Sequence, residues 1–112
     1  MIKKSYGAAL TGTTATIYTV PTSKKAEWVL VYITNTSGSN GSATLQYYDA
    51  SQDATLNILD GYTITAKQFF QIGGNVNEFI LMRSGDQIKA SATQPMTMLV
   101  SVIESNDVIT GG

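Results

Sequence analysis

The sequence predicts an all-β protein: a single antiparallel β-sandwich of about eight strands, with either a jelly-roll or an immunoglobulin-like topology. Three observations carry this expectation. Segments rich in Val, Ile, Thr and Tyr recur about every ten residues, split by Gly, Ser, Asn and Asp clusters. No stretch holds a helical period of convincing length. The 112 residues, 43% of them hydrophobic, suit one domain around one two-layer core.

The elements follow in order. Residues 1–13, small and Gly/Thr-rich after Lys3 and Lys4, read as a flexible N-terminal arm. The first clear strand is Ala15 to Val20, stopped by Pro21, which cannot donate a ladder hydrogen bond. Thr22 to Lys25 makes a turn into the strongest strand, Ala26 to Thr36. Strict alternation would put Trp28, Leu30 and Tyr32 on one face and Val29, Val31 and Ile33 on the other. Apolar groups on both faces mark a central strand, one side in the core and the other available to a neighbouring copy.

Asn35 to Ser42 carries turn chemistry at almost every position. Ala43 to Asp49 is the next strand, and Ala50 to Asp53 turns the chain into Ala54 to Leu59. Asp60-Gly61 signals a hairpin leading into Tyr62 to Thr65. Lys67 to Ile72 follows, closed by Gly73, Gly74 and Asn75. Glu78 to Met82 is a short strand, and Ser84-Gly85-Asp86 a tight turn. Gln87 to Ala92 has an edge-like pattern with Lys89 as a guard against edge pairing. In the last strand, Met96 to Glu104, the residues Met96, Met98, Val100 and Val102 share one face. Residues 106–112 read as a flexible tail.

Composition removes most chemistry. The chain has no His and no Cys, and only 13% of its residues are charged, giving a net charge of −1. Low charge leaves little repulsion between copies, which suits an assembly. Nucleic-acid binding needs clustered cations, and Lys3-Lys4 and Lys24-Lys25 are too small for a footprint. No apolar run approaches ~18 residues, so no membrane span is expected. Met1 to Lys4 imitates a secretory start, but no apolar region of sufficient length follows, so cytoplasmic synthesis is expected.

Candidate catalytic and metal groups are sparse. Asp49, Asp53 and Asp60 form the acidic concentration, without the ligand pattern of a calcium loop, and read as turn residues. Asp86 with Glu104 or Glu78 is the available carboxylate pair for hydrolysis, although nothing in the spacing requires them to meet. Without His, serine chemistry is left with Ser23-Lys24 in a plain turn. No cofactor and no enzymatic activity are expected. The aromatics Trp28, Tyr32, Tyr47, Tyr48 and Tyr62, with Lys3 and Lys4, are the candidate interface residues. Tyr47 and Tyr48 are adjacent on a strand, so one ring must leave the core. Were such rings exposed together in a groove, they would serve a carbohydrate- or receptor-binding module instead.

Gly12 to Pro21, then Lys24, then Trp28 to Gly38, resembles the start of a widespread group of small virion proteins of tailed bacteriophages. The resemblance continues through Asp60-Gly61-Tyr62, Phe69 to Ile72, Leu81 with Gly85, Asp86, Ile88 and Ala90, and the closing Met98 to Glu104. It covers roughly residues 10–104; Trp28 and the lysine-bearing arm depart from the commoner pattern. The resemblance implies a non-enzymatic β-sandwich of the particle: a capsid decoration or cement protein, or a neck or tail accessory protein. It further implies residence in the virion, a homo-oligomer with a trimer favoured, and contact with the major capsid protein or other virion proteins.

Overall fold

A computed structural model describes residues 2–73 and 80–107 of the chain. The strands are β1 (Ile2–Leu10), β2 (Ala15–Thr19), β3 (Lys24–Asn35), β4 (Gly41–Asp49), β5 (Ala54–Ile64), β6 (Phe69–Gly73), β7 (Ile80–Met82), β8 (Gln87–Ala92) and β9 (Met96–Asn106). The expected turn residues Gly74 and Asn75, the candidate Glu78, and residues 108–112 of the expected tail lie outside the described residues.

Two antiparallel sheets pack together. Sheet A has the order β1-β9-β3-β6, with β7 also paired to β3; sheet B has the order β2-β8-β4-β5. The pairings have one pattern: β1 with β9, β2 with β8, β3 with β6 and β7, β4 with β5. The chain is therefore one long hairpin, tipped between β4 and β5, whose successive strand pairs fall alternately in sheets A and B. That is the jelly-roll arrangement, with β6 and β7 sharing the place of one strand beside β3. It decides between the two topologies that the strand rhythm left open.

The core lies between the sheets. Val31, Ile33, Leu45, Ile88, Val100 and Val102 are fully buried, with Met96 and Met98 nearly so. The alternation expected of Met96, Met98, Val100 and Val102 is observed. Burying each large apolar side chain contributes about 1.5–3 kcal/mol, so this layer is what holds the sheets face to face. Asn35 is buried among them with every polar atom engaged. Its Nδ2 donates to Ser39 O (2.8 Å) and Ile64 O (2.9 Å), and its Oδ1 accepts from Ser37 N (3.0 Å) and Oγ (2.8 Å). One side chain thus closes the 36–40 loop and ties it to β5.

Four expectations need correction. The N-terminal arm is instead β1, paired with β9 from Ile2↔Glu104 to Leu10↔Met96 without a register shift. Its small residues carry little strand signal, and it forms because β9 offers a complementary edge. Secondly, Trp28 does not share a face with Tyr32. The β3–β9 register shifts between Trp28 and Leu30, so the chain bulges at Val29. Trp28 turns into the core with no exposed surface, and its Nε1 donates to Leu30 O at 3.1 Å. Gly73 accommodates the bulge: its φ is +86°, and a Cβ there would stand 2.0 Å from Val29 O.

Thirdly, Asp60-Gly61 makes no hairpin. β5 runs through it, and Gly61 at φ +62° coincides with an irregular register between β4 and β5. Lastly, β8 is an inner strand of sheet B, between β2 and β4. Lys89 guards no edge; its Nζ lies 5.1 Å from the centre of the Tyr48 ring.

Candidate functional site

The two outer faces of the sandwich differ in chemistry. On sheet B the outward residues of β8 and β4 are Gln87, Lys89 and Ser91 beside Ser42, Thr44, Gln46 and Tyr48. This face is polar and cross-linked, for example by Gln46 Nε2 donating to Asn57 Oδ1 at 3.0 Å. On sheet A the strand registers bring apolar side chains together. Tyr32 stands between Leu99 of β9 and Gln71 of β6, and Leu30 stands beside Ser101. Glu27 separates Ile103 from Leu81. Phe69, opposite Thr34, sets its ring 5.8 Å from that of Tyr32.

Phe69 (59%), Leu81 (49%) and Leu99 (41%) keep much of their surface in solvent. Large apolar side chains gathered on one side of a small protein make that side a candidate contact surface. A shallow hollow of about 580 Å³ lies within this face, lined by Gly7, Ala9, Thr97, Leu99 and Tyr32 among others. Gly7 keeps it open. A Cβ at Gly7 would sit 3.7 Å from Met98 O, an ordinary contact, so the fold itself does not require glycine there. Lys3 and Glu27 flank Ile103 at the other end of the face.

The seven predicted interface residues do not converge. Tyr32 lies on the outer face of sheet A, and Lys3 is exposed on the same side of β1. Trp28 is core. Tyr47 turns inward and donates to Asp86 Oδ2 at 2.6 Å, while Tyr48 turns outward and donates to Asp53 Oδ1 at 2.6 Å. The adjacent rings therefore do face opposite ways. Tyr62 is half-exposed and meets Phe70, ring centres 5.1 Å apart, where β5 and β6 line up at one end of the two sheets. Rings from Trp28, Tyr47 and Tyr62 accordingly form no shared groove. Sequence reasoning missed Phe69, Leu81 and Leu99. The signal available was the apolar run on both faces of β3, whose outer neighbours in sheet A had to be found in space.

Lys4 lies on the inward side of β1, at the rim of a cluster around buried Glu104. Glu104, 4% exposed, accepts from Tyr18 Oη at 2.6 Å through Oε2 and pairs with Lys4 Nζ at 3.0 Å through Oε1. Burial raises the Glu104 pKa, but the hydrogen bonds from Tyr18 and Lys4 and the charges of Lys4 and Lys24 outweigh it, leaving it below the ordinary value. The hydrogen bond to Glu104 holds the Lys4 pKa above its usual value. Burial and then the same carboxylate push the Tyr18 phenol far up, so Tyr18 stays neutral.

Asp86 is a separate structural anchor, 2% exposed. It accepts from Tyr47 Oη (2.6 Å), Ala50 N (2.9 Å) and Arg83 N (2.8 Å), tying the β7–β8 turn to the end of β4. Burial, followed by the bond to Asp86, raises the Tyr47 pKa. Asp86 and Glu104 thus each serve a separate network. Asp49 caps its own turn by accepting from Ser51 N (3.0 Å) and Oγ (2.7 Å). Among the described residues no group of three or more acidic side chains is placed to hold a metal ion.

Comparison with protein-family models, curated proteins and solved structures gives no significant match. Function must therefore be argued from these surfaces.

Proposed function

We propose that this protein is a non-enzymatic structural component of a tailed-phage virion, of the capsid decoration or cement type, docking through the outer face of sheet A. The observation that carries the reading is the asymmetry between an apolar outer face on sheet A and a polar one on sheet B. Jelly rolls serve viral capsids, lectins and cupins alike, so topology alone does not choose among them. The absence of His removes the usual metal ligand of an enzyme pocket. Trp28, Tyr47 and Tyr62 do not form the shared groove of rings that a sugar-binding module would use, and the outward ring pair on sheet A, Tyr32 with Phe69, lies within the apolar face. What is left is a broad, shallow apolar surface suited to another protein. Many copies on one particle bind by avidity, so each contact can be modest. The resemblance of residues 10–104 to phage virion proteins points the same way.

The test is co-sedimentation with purified phage heads lacking the protein. Wild type should pellet with heads, and Leu99→Lys should remain in the supernatant while keeping its circular-dichroism spectrum. Pelleting of Leu99→Lys at the wild-type level would remove sheet A as the docking face. Wild type that ignores heads but pellets with tails would move the protein to a neck or tail position.

A further inference from the structure

From the edges of the two sheets we infer that β1 is a self-pairing edge: two copies join β1 to β1 antiparallel, making one continuous sheet A across a two-fold axis. The inference rests on backbone geometry and stands whether or not the protein docks on a phage head.

A sandwich has four edges, and each presents unpaired backbone donors and acceptors that natural proteins blunt by short strands, bulges, prolines or charged side chains, lysine above all. Three edges here are blunted. β2 has only five residues, with a register shift between Thr16 and Tyr18. β5 departs twice from regular pairing with β4 and carries Gly61 at φ +62°. The β6/β7 edge is split into strands of five and three residues, and β6 ends at Gly73 with φ +86°. β1 is guarded only near its start, by Lys3 and by Lys4, whose charge is paired with Glu104, and Ser5 to Leu10 are uncharged. It runs nine residues, pairs with β9 without a register shift, contains no proline, and has β9 as its single sheet neighbour among the described residues.

The side chains of β1 agree with a second copy as the occupant. Centring the two-fold on Tyr6 sets Lys3 opposite Ala9 and Lys4 opposite Ala8 of the other copy, with Ile2 opposite Leu10. Every residue of the strand is then used and no lysine faces a lysine, whereas centring on Lys4 would oppose like charges. The same register keeps inward residues opposite inward residues, so both apolar outer faces point the same way. The hollows beside Gly7 and Ala9 then lie side by side across the joint, and the docking surface doubles. A strand added to an open edge through main-chain bonds is a familiar recognition mode, and two-fold pairing is its self-complementary form.

The absence of cysteine makes the test clean. Ser5→Cys and Gly7→Cys lie on the outward side of β1, and a Cβ at Gly7 clashes with nothing. In the proposed register Ser5 of one copy faces Gly7 of the other, within disulfide reach. Mixed under mild oxidation, the two variants should give a covalent heterodimer in preference to either homodimer, and untreated wild type should sediment as a dimer. Leu99→Cys, exposed on the face of β9 and away from the edge, is the control. Cross-linking of Leu99→Cys alone would replace edge pairing by face-to-face stacking and overturn the inference. A wild-type monomer with no cross-link in any variant would overturn it as well. Neither result involves phage heads, so failure here is distinguishable from failure to dock.

Discussion

Replacing Glu104 by Gln keeps the side-chain shape and removes only the charge, which makes the consequence calculable. The phenol of Tyr18 then donates to a neutral amide oxygen instead of a carboxylate. Hydrogen bonds to charged groups contribute about 1.5–3 kcal/mol and neutral ones about 0.5–1.5, so roughly 1 kcal/mol is lost there. The Lys4 side chain is 39% exposed, so water recovers most of what its ammonium loses. Turning an amide N–H towards that ammonium adds a modest repulsion. Glu104→Gln should therefore cost about 1–2 kcal/mol at pH 7, or roughly 5–10 °C in Tm. The folded-state pKa of Glu104 lies below its unfolded value, so its contribution is present above about pH 4.3 and lost as pH falls through the folded pKa. The gap between wild type and Glu104→Gln should close in acid, because the variant has no such contribution to lose. Trp28, the single tryptophan, is buried and reports unfolding by fluorescence in urea titrations at each pH. A gap that stayed constant from neutral pH into acid, or an undestabilised variant at pH 7, would refute the assignment of Glu104 as a charged anchor.

At the alkaline end the sign is opposite: Lys4 and Tyr18 have raised pKa values, so their contributions hold below about pH 10 and fall away above it. Urea midpoints should show that decline in wild type and a shallower one in Glu104→Gln. Gly73→Ala should destabilise by about 3 kcal/mol or more, since its φ of +86° and the 2.0 Å approach to Val29 O both oppose a Cβ. Gly41→Ala should cost less, about 1–3 kcal/mol, because Gly41 has no positive φ and Gln94 Cγ and Met96 Cε can turn away, although Gln94 Cβ at 2.8 Å moves only with its backbone. Thermal melts of the two variants rank them, and equal losses would contradict the bulge argument. Asp86→Ala leaves Tyr47 Oη and two backbone N–H groups without their acceptor and should cost about 2–4 kcal/mol by denaturant unfolding. Leu99→Lys, on the outer face, should change stability by less than about 0.5 kcal/mol while abolishing attachment.

The β character of the chain was legible because alternation is a local property. Met96, Met98, Val100 and Val102 could be assigned to one face from their spacing alone. β1 was not legible: Ser5, Gly7, Ala8 and Ala9 have weak strand preference, and their conformation is set by β9, some ninety residues away. The inward turn of Trp28 was hidden for a related reason. A bulge changes the parity of every residue on one side of it, and the bulge at Val29 depends on Gly73 on the neighbouring strand. Asp60-Gly61 carried a genuine preference for positive φ, but β5 uses it to bend rather than to reverse. The apolar face of sheet A followed the same pattern. Tyr32 was legible as a candidate interface ring on a central strand, but which face of that strand was outward, and that Phe69, Leu81 and Leu99 join it there, emerged only once sheet order was known.

The most direct test of the proposed function is cryo-electron microscopy of tailed-phage particles incubated with this protein. The predicted result is density for the two-sheet sandwich on the head, with Tyr32, Phe69, Leu81 and Leu99 buried against the particle and sheet B turned to solvent. A particle with sheet A turned to solvent, or with no such density on its head, would contradict it.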